Sequence, residues 1–261
     1  MLLREARITK RVQKQLFACF VKDLTAVQTA YHFKKTASGK REKVAGIVDV
    51  SRPCATRYFR LWRGLIRQSL LRKYPRFSGE VEIDIGFFGG RAAKWTSAYV
   101  RRLAGLPAGR IVAKRKLIKK YEGRKQPVLG ILNRGGDIFL LPLKSKSRAH
   151  LEGAVRMVVE RGAVIYSDME KGLSNLKLDG YTHHQINHSK GPVSAQGYHI
   201  NGIESFWREA RRSMSKNFRG VPRSTLDLHI KEREFRYNHR HDLAKALTRL
   251  LRPQASIHPV R

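Results

Sequence analysis

Three acidic residues stand out in a chain dominated by cations: Asp84, Asp168 and Glu204. Asp84 sits inside an alternating stretch, "GEVEIDIGFFGG" (79–90), although strands disfavour Asp. Asp168 closes a short apolar run, "AVIYSD" (163–168), and Glu204 opens "HINGIESFWREARRSMSK" (199–216). Between Asp168 and Glu204 lie 35 residues. Arg211 follows Glu204 by seven positions, about two helical turns, so the two project from one helix face. Carboxylate oxygens are the ligands that hard divalent cations take. Two such cations about 3.5–4 Å apart clamp the attacking and leaving oxygens of an in-line phosphoryl displacement.

Plainer readings exist for two of the acids, while Asp84 within a strand is harder to dismiss. Asp168 at a strand end can cap the next helix. Glu204 can be the N3 member of a capping box with Asn201 as N-cap. Taken singly these compete; taken with the spacing and the flanking segments, catalysis is favoured.

The elements that must position these residues are legible from periodicity. Residues 79–90 read as a strand with Glu82 and Asp84 on one side. "QPVLGILNRGGDIFLLPL" (126–143) is two apolar runs around a turn signal, a hairpin. "RAHLEGAVRMVVERG" (148–162) reads as a helix with Leu151, Val155, Val158 and Val159 inward, and 163–168 as a short buried strand. In the helix expected over 199–216, Ile203, Phe206, Trp207, Ala210 and Met214 form the core-facing stripe. Three consecutive strands, a helix and a fourth strand is the order of a ribonuclease-H-like (retroviral-integrase-like) α/β domain, in which one acid lies on the first strand, another just beyond the fourth and a third on a later helix.

The chain has 261 residues, 41% of them hydrophobic, with 54 Lys+Arg against 20 Asp+Glu and a formal charge of +34. That imbalance repels itself unless a polyanion is near, and it points to nucleic acid. Ribosomal proteins share this charge but are usually shorter and poorer in aromatics. Two isolated cysteines, Cys19 and Cys54, argue against a disulfide framework and a zinc ribbon and fit a reducing cytosol. No apolar run is long enough for a membrane span, and "MLLREARITK" has no signal-peptide core.

Residues 1–80 carry 19 Lys+Arg and 5 Asp+Glu. Two helices are expected there: 22–33, with Leu24, Val27, Ala30 and Tyr31 at helical spacing, and 50–74, with Ser51 as cap and Pro53 in the first turn. In the second, Tyr58, Leu61, Trp62, Leu65 and Ile66 form one stripe, while Arg57, Arg60, Arg63 and Arg67 lie largely off it. Two readings remain open: a helix-turn-helix whose second helix enters the major groove, or a basic helical lobe with a solvated face. Residues 91–125 read as an insertion with 12 Lys+Arg against Glu122 alone. Lys114, Arg115, Lys116, Lys119 and Lys120 within it are candidate DNA contacts.

The segments "INHSK", "HINGIESFWREARR", "EFRYNHR" and "IDIGFFGGR" resemble the ISXO-two-like DDE transposases of bacterial insertion sequences, in particular their smaller subgroup. The resemblance covers roughly residues 80–240. It implies a transposase that binds terminal inverted repeats, cuts them and joins them to target DNA, working as a dimer or higher assembly on double-stranded DNA, cytoplasmic and nucleoid-associated. It implies a two-metal Mg²⁺ site, with Mn²⁺ able to substitute. Asp84 would bridge both metals, Asp168 would hold one and Glu204 the other, and Arg211 would neutralise phosphate. Water would attack first, and the exposed 3′-hydroxyl would then attack a target phosphodiester. The expected layout is a basic helical DNA-binding domain over 1–78, a catalytic domain over 79–245 with the insertion at 91–125, and a basic tail over 246–261.

Three departures stand against the family pattern, one being that the basic segment 91–125 is expanded. Ile85 occupies the position directly after the first Asp where a second acid is usual; Glu82 is the nearest acid on the same side. No cysteines supply the N-terminal zinc ribbon that many members carry. Ile85 keeps a second hypothesis open, a catalytically inactive, transposase-derived DNA-binding protein. A third is a ribonuclease-H-like nuclease without strand transfer. His183, His184, His188 and His199 cluster around the start of the helix that carries Glu204. His188 in "INHSK" is a candidate phosphate contact, but these histidines lack a metal-ligand spacing and are read as structural hydrogen bonders. In "EFRYNHRH" (234–241) a helix end is expected to pack Phe235 and Tyr237 on the core, with structural roles for Arg236 and Arg240.

Overall fold

The computed structural model describes residues 8–72, 74–88, 125–144, 146–168, 180–186, 197–218 and 221–250. The chain forms two compact units, Met1–Lys73 with Phe235–Arg261, and Tyr74–Glu234.

In the first unit, α1 (Lys10–Val21) starts where the Thr9 side chain accepts from the Val12 amide, an N-cap arrangement. A four-residue α2 (Ala26–Thr29) follows, started by a capping box between Thr25 and Gln28. Strands β1 (His32–Lys35) and β2 (Arg41–Val44) then pair as an antiparallel hairpin. The sequence expectation of one helix over 22–33 is therefore corrected. Asp23 takes a left-handed φ of 58° and Ala30 is extended, so the helical spacing of Leu24, Val27 and Tyr31 is broken at both ends. The β-prone run Tyr31-His32-Phe33 pairs instead with residues farther along. The two helices that a helix-turn-helix needed are thus a single turn and α3. Helix α3 (Arg52–Arg72) matches its expectation, with the Cys54 amide donating to Ser51 Oγ at its start. Its buried side chains Tyr58, Phe59, Trp62 and Ile66 pack with Leu16, Phe20, Phe235 and Leu247. The last helix of the chain's described residues, Leu243–Leu250, runs across position 246, and its Ala246 and Leu247 join this core.

The second unit is built on a mixed five-stranded sheet. Its strands are β3 (Glu80–Phe88), β4 (Gln126–Asn133), β5 (Ile138–Pro142), β6 (Val164–Asp168) and β7 (Thr182–Ile186), in spatial order β5-β4-β3-β6-β7. The hairpin β4–β5 turns at 134–137, where Gly135 takes φ 71°. Strands β3, β6 and β7 run parallel to one another, and β3 and β4 are antiparallel.

Alternation along the strands sorts the sheet into two faces. Val81, Ile83 and Ile85 of β3, with Leu129, Ile131 and Ile165, pack on Leu151, Val155 and Val158 of α4 (Arg148–Val158). The other face carries Glu82, Asp84, Gly86 and Phe88 and is covered by α5 (Asn201–Phe218). Helix α5 lies close: a Cβ on Gly130 would sit 2.6 Å from Trp207 Cζ2 and 2.9 Å from Ile203 Cδ1. Only a residue without a side chain admits this approach. Ile203, Phe206, Trp207, Ala210 and Met214 are buried, the stripe read from the sequence. Helix α6 (Arg223–Asn238) contributes residues to both units, and α7 (Leu243–Leu250) ends the described chain.

Candidate active site

The candidate site is assembled by sheet register. Ile83 of β3 lies opposite Ser167 of the parallel β6, the last pair of that ladder, and Asp84 and Asp168 each follow it by one residue. Adjacent strands lie about 4.8 Å apart, and residues at one rung of a parallel pair point to the same face. That face is the one α5 covers. Both aspartates are half-buried, and Asp84 Oδ1 accepts from the Ile85 amide at 2.7 Å. Glu204 stands in the first turn of α5, half-buried, where the positive end of the helix dipole favours a carboxylate. Arg211 is exposed two turns along the same helix.

The start of α5 differs from the sequence reading. The Glu204 amide donates to the Ile200 carbonyl, so Asn201 is already inside the helix rather than its cap. The N3 amide, that of Ile203, donates to Glu82 Oε2 from β3 at 2.8 Å. Glu82 is fully buried, and its Oε1 takes the Arg134 Nε at 3.0 Å. Glu82 is thereby committed to seating α5 on the sheet. Its neighbourhood is organised by Arg134, in the β4–β5 turn. That guanidinium also donates to Glu80 and to the His199 carbonyl, and lies 4.0 Å from the Tyr166 ring centroid. The Tyr166 hydroxyl donates to Glu80 Oε1 at 2.7 Å. That hydrogen bond, with Arg134 behind it, holds the Glu80 carboxyl below its usual range, and the same bond raises the Tyr166 phenol. Sequence reasoning missed this network. Its one available signal was two acids, Glu80 and Glu82, at alternate positions of a strand facing an Arg in a turn.

Ile85 is buried among Val81, Ile83, Leu129 and Val155, on the face away from Asp84. Of the histidines, His183 and His184 lie on β7, with Ser167 Oγ 2.7 Å from His183 Nε2. Burial pushes the His183 imidazole below its ordinary value. His184 stacks on Tyr198 with ring centroids 4.1 Å apart. His188 lies outside the described residues.

The donor chemistry of Asp84, Asp168 and Glu204 fits a hard divalent cation. Among the described residues no three His, Cys, Asp or Glu side chains stand close enough together to hold a metal ion. The register brings Asp84 and Asp168 onto neighbouring strands, one residue past the paired Ile83 and Ser167, and Glu204 belongs to the helix that covers this face.

In the first unit, Arg57 and Arg60 are exposed on α3 and Arg67 is half-buried. Arg63 is buried, its guanidinium over the rings of Phe20 and Phe59. Arg236 donates to the carbonyls of Phe20 and Val21, and Phe235 is buried in the same core. Arg240 donates to the Tyr237 carbonyl. Lys114, Arg115, Lys116, Lys119 and Lys120 lie outside the described residues. Among the described residues no helix is long and apolar enough to cross a membrane.

Residues 76–238 match the family model described as the ISXO2-like transposase domain. A protein of Haemophilus influenzae named "Uncharacterized transposase-like protein" is 31% identical over 101 residues, which cover 39% of this chain and 80% of that protein. The acids, the helix that carries Glu204 and all five strands of the mixed sheet fall within the matched span. The chain belongs to the ISXO2-like transposase family.

Proposed function

We propose that this protein is a DDE transposase that binds the terminal inverted repeats of an insertion sequence, cleaves a DNA strand at each end and transfers the ends to target DNA. The observation that carries the proposal is that Asp84 and Asp168 each follow by one residue the paired Ile83 and Ser167 of neighbouring parallel strands, on the sheet face under α5, with Glu204 in that helix's first turn. The strand order β5-β4-β3-β6-β7, with β3 antiparallel to β4 and parallel to β6, supports a ribonuclease-H-like catalytic domain.

In this reading Asp84, Asp168 and Glu204 would hold two Mg²⁺ ions, for which Mn²⁺ would substitute. When bound, the pair supplies Lewis-acid stabilisation of the attacking and leaving oxygens of a phosphodiester. The chain's own residues do the rest. The three carboxylates carry the negative charge that gathers the cations. Glu82 and Arg134 hold the first turn of α5 against β3, which fixes where Glu204 stands. Arg211 offers its planar fork to a DNA phosphate on the same helix face.

The relic reading rested on Ile85. Residue 85 points into the core beneath α4, so an acid missing from that position takes nothing from the Asp84 face. This favours an active enzyme.

The test is cleavage and joining of a labelled duplex carrying the element's own end, with Mg²⁺ or Mn²⁺, for wild type and for Asp84→Ala, Asp168→Ala and Glu204→Ala. The expected result is that wild type cuts and joins, and each substitution abolishes both while DNA binding persists. Binding without cutting under either metal supports the inactive DNA-binding protein. Cutting without joining supports a nuclease.

A further inference from the structure

The β1–β2 hairpin has no place in the site described above, yet its two faces differ sharply in chemistry. The register sets His32 opposite Val44, Phe33 opposite Lys43, Lys34 opposite Glu42 and Lys35 opposite Arg41. Alternation therefore gathers Phe33, Lys35, Arg41 and Lys43 on one face, with Tyr31 at its base. His32, Lys34, Glu42 and Val44 lie on the other, where the Lys34–Glu42 pair is charge-balanced. On the first face Lys35 and Arg41 are like charges directly opposite each other, an arrangement that destabilises a hairpin.

The rings on that face are interleaved with the cations. The Arg41 guanidinium lies 5.3 Å from the Phe33 centroid, and Lys43 Nζ 4.2 Å from the Tyr31 centroid. Tyr31 and Phe33 meet edge to face at 5.8 Å. Phe33 is nonetheless 52% exposed, as are all four residues of β1 to a large degree. Lys43 also pairs with Asp49 at 2.6 Å, but both partners are exposed and such a pair is weak against a polyanion.

The ribbon is held firmly at its root. The Tyr31 amide donates to the Val50 carbonyl and the Val48 amide to the Thr29 carbonyl, beside the buried Ala30, Val48 and Val50. At its tip the Thr36 amide donates to the Lys40 carbonyl. A rigidly rooted two-stranded ribbon fits the width of a DNA major groove.

We propose that the face of this hairpin bearing Phe33, Lys35, Arg41 and Lys43 docks on double-stranded DNA, with the cations on phosphates and the rings against the groove. This rests on the transposase reading and deepens it, placing a DNA contact of the first unit on a β-ribbon in addition to the α3 arginines.

The test uses the full chain. Binding of a mixed-sequence labelled duplex is measured by fluorescence anisotropy across a salt series. Variants are the triple K35Q/R41Q/K43Q and, as control for the opposite face and tip, K34Q/K40Q. The triple is expected to weaken binding and to make the log–log salt slope shallower by about 0.9 for each phosphate no longer neutralised. K34Q/K40Q is expected to change it less. Independently of any variant, lysine footprinting of the wild type with an amine-reactive reagent should show Lys35 protected by DNA and Lys34 unprotected. If wild type binds duplex but the triple keeps its affinity and slope, or Lys34 and Lys35 react alike with and without DNA, the ribbon proposal is overturned while the transposase reading stands. If wild type binds no duplex at all, both fall together. Strand cleavage by Asp84→Ala, which leaves the ribbon intact, separates the two readings from the other side: abolished cutting with kept ribbon protection supports both.

Discussion

Glu82 in the middle of β3 accepts the backbone N–H of Ile203, in the first turn of α5, at 2.8 Å, across 121 positions of sequence. This one hydrogen bond ties the strand that carries Asp84 to the helix that carries Glu204. The same carboxylate holds Arg134, so its removal strips a partner from a half-buried guanidinium as well as from a helix amide. Breaking one partner of a buried pair costs about 3–5 kcal/mol. Glu82→Ala should lower the thermal midpoint strongly and abolish cleavage, whereas Glu82→Gln, which keeps an acceptor for the amide, should lose less of both. Thermal unfolding of the two variants checks this; equal midpoints would show that Glu82 does not seat the helix.

Gly202 lies at the same junction. A Cβ there would stand 2.8 Å from Glu82 Oε2 and 2.8 Å from Leu132 Cδ2. Gly130 is the equivalent point beneath Trp207. Overpacking of this kind costs about 1–3 kcal/mol. Gly130→Ala should therefore reduce strand cleavage out of proportion to its modest effect on folding, because it lifts the helix bearing Glu204 off its sheet. Cleavage rates compared with circular dichroism melts decide it, and an active, wild-type-like Gly130→Ala would contradict the close seating.

Ile85→Asp places the acid usual in the family at its usual position. Since the side chain enters the core beside Val81, Ile131 and Val155, the substitution buries a carboxylate without a partner and should destabilise the fold without raising cleavage. Any gain in metal-dependent cutting would show that residue 85 reaches the Asp84 face.

Among the α3 arginines a division is expected. Arg63 lies buried over Phe20 and Phe59, where a desolvated cation–π contact is worth about 2 kcal/mol. Arg63→Gln should lower the melting temperature and leave the salt dependence of DNA binding alone. Arg57→Gln and Arg60→Gln, at exposed positions, should do the reverse. The paired measurement is a melt and a salt titration for each variant.

Burial depresses the His183 imidazole. The folded state then binds its proton at lower pH than the unfolded chain does, so the contribution of this group is present above the ordinary imidazole value of about 6.5 and is lost as pH falls through the folded value. Unfolding midpoints of wild type should drop on acidification from neutral pH more steeply than those of His183→Asn. Parallel pH profiles would remove His183 from the acid sensitivity of the fold.

The elements that build the sheet were legible because each carries a clean period: strict alternation in 79–90, apolar runs around "NRGGD", helical spacing in 148–162 and 199–216. The stripe from Ile203 to Met214 was readable for the same reason. Residues 22–33 misled because Leu24, Val27, Ala30 and Tyr31 fall at helical spacing while the backbone of Thr29, Ala30 and Tyr31 is claimed by long-range partners, Val48 and Val50. Charge alone could not separate Arg63 from Arg57, since the aromatic rings that bury it come from α1 as well as its own helix. Glu82 and Asp84, two apart on one strand, looked interchangeable; only the arrival of α5 and Arg134 divides them into a structural and a candidate catalytic acid.

The first unit's core takes Leu16, Phe20 and Trp62 from one end of the chain and Phe235 and Leu247 from the other. During synthesis the N-terminal segment must therefore wait, while 74–234 can form its sheet as soon as it leaves the ribosome. Until Leu247 emerges, the basic α3 and the ribbon stand on an unfinished apolar base. The unit whose first helix is made before the sheet is completed only after it, once Ala246 and Leu247 of α7 have been made.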